Sequence, residues 1–166
     1  MRFFIPILPL LLLGALPASA TSQTVLQCGR LIDVETQTVL EEQLISIDQQ
    51  RITSIRSGEH YEGEARAIDL SEYTCLPGLI DMHVHLMVAY SAAYELEKIT
   101  QGAPDLALLA AWNAEKTLMA GFTTVRDLGD RAGVTVALRN AIDKGITTGP
   151  RVFTSGMPLS STGGHD

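Results

Sequence analysis

From residue 79 onward, extended apolar runs alternate with helical ones, and this alternation leaves few folds open to the chain. Leu79-Ile80-Asp81-Met82-His83-Val84-His85-Leu86 follows the turn Pro77-Gly78 and has the composition of a buried strand. After a loop, Pro104 suits the first turn of a helix whose inner face carries Leu106, Leu109, Ala110, Asn113, Ala114, Thr117 and Leu118, and which Gly121 ends. Thr123-Thr124-Val125-Arg126 makes a second strand. Val134, Leu138 and Ile142, with Ala137 and Ala141 beside them, line a second helix stopped by Gly145, and Arg151-Val152-Phe153-Thr154 makes a third strand. Strands and helices in this order predict a parallel sheet with right-handed crossovers, a sheet that needs cover on both faces.

The preceding stretch has another character. Residues 24–68 hold short β-branched and alternating runs between polar turns, among them Leu44-Ile45-Ser46-Ile47 and Arg51-Ile52-Thr53-Ser54-Ile55, which predict antiparallel strands with one buried face. About 50 residues make a thin core, so this small β-domain is expected to need a packing partner. Residues 1–20 have the layout of a secretory signal: Arg2, an apolar run, and Ala18-Ser19-Ala20 at the cleavage end. The run is too short, and too interrupted by Pro6 and Pro9, to anchor the chain in a bilayer that takes about 20 apolar residues to cross. The expected organisation is a cleaved signal over 1–20, a β-rich domain over 21–75 and a β/α domain over 76–166, exported to a periplasmic or extracellular location. Export permits Cys28 and Cys75 to pair, yet spacing does not decide it, and two separate buried thiols are the plainer expectation. With 19 acidic against 12 basic residues and a formal charge of -7, nucleic acid is not an expected partner.

Asp81-Met82-His83-Val84-His85 carries the chemistry. Alternate residues of a strand share a face, so the two imidazoles project the same way about 6.5 Å apart along the strand, within reach of one metal ion. Their place near the strand's carboxyl end is where parallel sheets build sites. Asp81, one step deeper, is placed to accept the second N–H of an imidazole. Asp127 and Asp130 fit a helix-starting turn with a capping carboxylate. His60 lies in a polar, solvated run, and Trp112 and Met119 sit at helical positions expected to be core. Nucleophile elbows, phosphate loops and dinucleotide fingerprints do not occur in the sequence.

The junction Leu76-Pro77-Gly78-Leu79-Ile80-Asp81-Met82-His83-Val84-His85-Leu86 resembles the amidohydrolase superfamily, in which a small β-domain precedes a metal-dependent (β/α)8 barrel. Gly29-Arg30-Leu31-Ile32-Asp33, Gly121-Phe122-Thr123-Thr124-Val125-Arg126-Asp127 and Gly149-Pro150-Arg151-Val152 are similar to further family segments. Ser161-Thr162-Gly163-Gly164-His165 is most similar to the branch of imidazolonepropionase-like enzymes and Xaa-Pro dipeptidases. The resemblance implies an α/β chain: a small composite, sandwich-like β-domain, then the first three β/α units of a truncated (β/α)8 barrel. It makes His83 and His85 ligands of a catalytic metal, usually zinc, in a site of one or two divalent ions, and places His165 near the substrate. A small-molecule or dipeptide substrate with an amide-type C–N bond is implied, and a homo-oligomer is compatible with this. Asp166 follows His165 directly, where the family often has an intervening Gly. A barrel takes about 250 residues, so the chain is expected to be the amino-terminal part of a longer enzyme and inactive alone. The competing reading is an exported binding or scaffolding module with structural histidines.

Overall fold

The computed structural model describes residues 23–159 and 161–162. The expected signal over residues 1–20 and His165 lie outside the described residues. The chain divides after Leu76 into two units.

The first unit is a single four-stranded sheet, β1 (Thr24–Asp33), β2 (Thr38–Asp48), β3 (Arg51–Ser57) and β4 (Arg66–Cys75), in the order β3-β2-β1-β4. The β1–β2 turn closes on Asp33, whose carboxylate accepts the Glu35 N–H at 2.9 Å and the Thr36 hydroxyl at 2.6 Å. β1–β2 and β2–β3 pair antiparallel, as the patterning predicts, whereas β4 runs parallel to β1. That departure has a simple cause: β2, β3 and the stretch after them supply the long crossover that a parallel neighbour requires.

Between Cys28 and Arg30 the β1–β4 register slips, Cys28 facing Leu70 and Arg30 facing Thr74. Gly29 sits at the slip, where a Cβ would fall 1.8 Å from the Ser71 carbonyl oxygen, so only glycine fits this backbone approach. Leu31 then stands beside Cys75, and Cys28 and Cys75 form a disulfide with their Cα atoms 6.1 Å apart. This corrects the expectation of two separate thiols. Forty-seven residues of sequence separation conceal the pairing; adjacency of β1 and β4 creates it, at the small core of Cys28, Leu31 and Ile45.

The second unit holds three parallel strands, β5 (Leu79–Val84), β6 (Phe122–Asp127) and β7 (Arg151–Thr154), in the order β5-β6-β7. Between them come α1 (Tyr94–Thr100), α2 (Ala103–Met119) and α3 (Val134–Asp143). α1 stands where a loop was expected; just before it the Ser91 hydroxyl accepts the Ala93 N–H at 3.0 Å in a local turn without apolar periodicity. Pro104 lies in the first turn of α2 as predicted, and the Asp105 carboxylate accepts the Gly102 N–H at 2.9 Å. Leu106, Ala110 and Ala114 of α2, with Val134 and Leu138 of α3, pack on Leu86, Val125 and Val152.

Two expectations fail on this unit. Trp112 and Met119 are 54% and 79% exposed rather than core, because Trp112 is two residues past Ala110, about 200° around the helix from the packed face. Lys116 Nζ lies 3.9 Å over its ring instead. Among the described residues the helices cover one face of the sheet, while Ile80, Met82 and Phe153 are exposed. The Pro77-Gly78 turn seats β5 against β6: the Leu79 N–H donates to the Gly121 carbonyl at 2.9 Å, and a Cβ on Gly78 would fall 2.1 Å from Thr123 Oγ1. No helix among the described residues is long and apolar enough to cross a membrane.

Candidate functional site

The site is built at the carboxyl ends of β5–β7, beginning with an irregularity in β5. Asp81 pairs with Val125 but Val84 with Asp127, so three steps of β5 span two of β6. Such a slip takes main-chain groups out of the ladder, and side chains take them up. Arg126 Nε donates to the Met82 carbonyl at 2.7 Å, and the His83 N–H donates to Asp81 Oδ1 at 3.0 Å. The slip breaks the alternation that set Asp81, His83 and His85 on one face. The imidazoles nevertheless converge, with ring centroids 5.4 Å apart and planes at 68°.

His85, half-buried just past the end of β5, has its Nδ1 3.3 Å from the Gly129 carbonyl oxygen. A carbonyl only accepts, so Nδ1 is the protonated nitrogen, and in the neutral ring Nε2 is the one whose lone pair faces a ligand or metal. Gly129 is the residue that sequence reasoning missed. Asp81, assigned the orienting role, engages the His83 main chain instead. His83 is exposed. Ring centres 5.4 Å apart suit two imidazoles on one tetrahedral ion, which stand roughly 5 Å apart at Zn–N distances of about 2.1 Å. Among the described residues no group of three or more His, Cys, Asp or Glu side chains could hold a metal; the fit is that of two donors of a larger set.

Behind the pair, the strand ends are locked by two buried carboxylates. Asp127 Oδ2 accepts the Leu86 N–H at 2.7 Å and Oδ1 the Gly129 N–H at 3.2 Å, so one side chain holds both the segment after His85 and the residue that orients it. Burial pushes its carboxyl above the ordinary carboxylate value, while those two amides and the neighbouring His85 favour the charged form. Asp127 is therefore a tie between strand ends rather than a helix cap. Asp130, three residues before the N-cap Gly133, serves the start of α3: it accepts the Gly133 N–H at 3.1 Å, the Thr135 N–H at 2.7 Å and the Thr135 hydroxyl, whose oxygen meets Thr154 Oγ1 at 2.6 Å. Asn113 Nδ2 donates to the carbonyls of Leu86 at 2.8 Å and Val88 at 3.2 Å, fixing the loop after β5 on α2. His60 lies in the first unit, 3.3 Å from Gln27 Nε2, and is exposed.

The family model described as the amidohydrolase family matches residues 74–166, more than half of the chain and all of the strands that carry this site. The chain belongs to the amidohydrolase family. Ochratoxinase of Aspergillus niger is 38% identical to this amidohydrolase over 94 residues, covering 54% of the chain and 18% of the ochratoxinase. The crystal structure of a Xaa-Pro dipeptidase with bound methionine in the active site is 39% identical and superposes with a TM-score of 0.80, covering 87% of this chain and 36% of the dipeptidase. That of a prolidase complexed with N-methylphosphonate-L-proline is 36% identical, with a TM-score of 0.72 over 86% of this chain and 34% of the prolidase. The amidohydrolase chain thus spans about a third of these solved relatives, and its expected kinship with Xaa-Pro dipeptidases is borne out.

Proposed function

We infer that this amidohydrolase is the opening part of a metal-dependent hydrolase of amide-type C–N bonds, and that His83 and His85 are its first two metal ligands. One observation carries the reading: two imidazole rings 5.4 Å apart at the carboxyl end of a parallel sheet. Zinc is the favoured ion, since neutral imidazole suits a borderline metal. When bound, such an ion acidifies a water and polarises the substrate carbonyl. The chain's own residues prepare for it. The Gly129 carbonyl holds His85 in the tautomer that leaves Nε2 free, Asp127 fixes Gly129, and Asp81 with Arg126 stabilises the slip that turns His83 toward His85.

The fold supports the further reading that β5–β7 begin a (β/α)8 barrel. Ile80, Met82 and Phe153 lie exposed on the face without helices, where a barrel places its packed interior. Three protein ligands are usual for a catalytic zinc, so residues 21–166 alone are expected to be inactive. His165, which follows β7 in the sequence, is assigned to the substrate side. Substrates are small amides or dipeptides, for which the names of the solved dipeptidase and prolidase are the support. The Cys28–Cys75 disulfide supports export to an oxidising compartment.

The test uses the full-length protein of the intact gene, assayed for zinc content and for dipeptide hydrolysis. His83→Ala with His85→Ala should remove the metal and lower kcat/KM by roughly 100-fold or more. Full zinc occupancy in that double variant would refute the assignment.

A further inference from the structure

The outer side of α2 carries an apolar stripe that packs on nothing among the described residues. Leu108, Trp112 and Met119 are 75%, 54% and 79% exposed, and at about 100° per residue they lie within about 40° of one another. Leu106, Ala110 and Ala114, which α2 packs toward the sheet, are centred about 180° away. In a ring of barrel helices the neighbours of α2 meet its flanks, about 90° from the sheet-facing side, so completing such a ring leaves the stripe outermost. Large apolar side chains aligned over about three exposed turns mark an interaction surface.

The stripe is complementary to itself. Leu108, Trp112, Glu115 and Met119 follow one another at spacings of four, three and four residues, the seam of a two-stranded coiled coil, and this spacing reads the same in both directions. Two copies of α2 running antiparallel about a two-fold axis level with Asn113 and Ala114 therefore set Leu108 against the partner's Met119 and Trp112 against the partner's Glu115. Lys116 Nζ lies 3.9 Å over the Trp112 ring, so the partner's Glu115 arrives where an ammonium group already stands on the indole. The chain as a whole carries a charge of -7, which sets copies against each other, but the stripe holds one acid and one base and attracts its own copy. A membrane surface suits it less, because an acidic side chain interrupts the apolar line and the basic flank is a single lysine.

We propose that the outer face of α2 is a self-association surface, occupied by the same face of a second copy of this chain in an antiparallel, two-fold helix pair. One helix pair is small beside the roughly 1,200–2,000 Å² of a standard interface, so the dimer it forms is reversible and concentration-dependent. The pairing is independent of the roles of His83 and His85.

Sedimentation velocity on the full-length protein, over a concentration series spanning the micromolar range, measures the association. Trp112→Glu should raise the dissociation constant roughly tenfold or more. Lys116→Glu should raise it about fivefold, and adding Glu115→Lys, which exchanges the two charges, should bring it back to within about twofold of the starting value. All four positions are exposed, and circular dichroism of each variant should match the parent. The register has its own test: Leu108→Cys with Met119→Cys should yield a disulfide-linked dimer on mild oxidation, and either substitution alone should not. The two positions are about 16 Å apart along one helix, and each is as far from its own copy across the pair. A monomer at every concentration, as when a later segment of the chain covers the stripe, would overturn the proposal. So would an oligomer that Trp112→Glu leaves intact, a charge exchange that restores nothing, or single cysteines that link as readily as the pair.

Discussion

The two sheets of this protein hold themselves together by different means. The four-stranded sheet of the first unit has a small buried cluster of Cys28, Leu31 and Ile45, and one disulfide passes through it. The three-stranded sheet of the second unit has no disulfide, yet its cluster runs from Leu86 and Val125 through two helices to Leu138 and Val152. A small sheet without helices buries little apolar surface and gains most from a covalent constraint on its unfolded chain. A parallel sheet brings its own helices as crossovers and is stabilised by packing. The site stands on the packed unit, where buried carboxylates can hold loops in place.

Reducing the disulfide, or replacing Cys28 and Cys75 together by Ser, should show the largest effect. Closing a loop across 47 residues is worth about 4 kcal/mol of chain entropy. Urea transitions followed by amide exchange at buried Val25 and Leu44 should move by that amount. The fluorescence transition of Trp112, the chain's single tryptophan, should stay where it was. If both move together, the contrast between the units fails.

Leu138→Ala probes the other side of the contrast. Leu138 is buried between α3 and the sheet, and its truncation should lower the stability reported by Trp112 by about 3 kcal/mol while leaving the first unit unmoved.

The smallest effect is in pH, and it has opposite signs in the two units. In the first unit the Thr36 hydroxyl holds Asp33, and the Ser71 amide holds Asp69, below the ordinary carboxylate value of 3.8. Their contribution is present above that value and is lost as pH falls through the lowered one. In the second, burial raises Asp127, so its protonated form is favoured by folding and stability falls as pH rises from 3.8 through the raised value. Carbon NMR titration of the three carboxyls checks the signs one by one; Asp127 titrating below 3.8 would break the scheme.

Much of the second unit is legible in the sequence because its signals are local. Pro77-Gly78, the apolar spacing of Leu106, Ala110 and Ala114, and the stop at Gly145 each act within a few residues, and β7 occupies the four residues predicted for it. The His-x-His pair could be singled out for the same reason. The partner that orients His85 could not, since it is the main-chain carbonyl of Gly129, and a carbonyl is present at every residue. The roles of Asp81 and Asp127 depend likewise on which amides the strand slip and the strand ends leave without ladder partners.

The amino-acid sequence by itself determined β5–β7 with α2 and α3 between them, their parallel sheet and the presence of two imidazoles at one strand end, because helix and strand periods and turn residues act over short range. Tertiary structure alone decided the Cys28–Cys75 pairing, the direction of β4, the outward placement of Trp112 and the hold of Gly129 on His85. Each of these joins groups far apart in the chain, and only the folded backbone brings them within bonding distance.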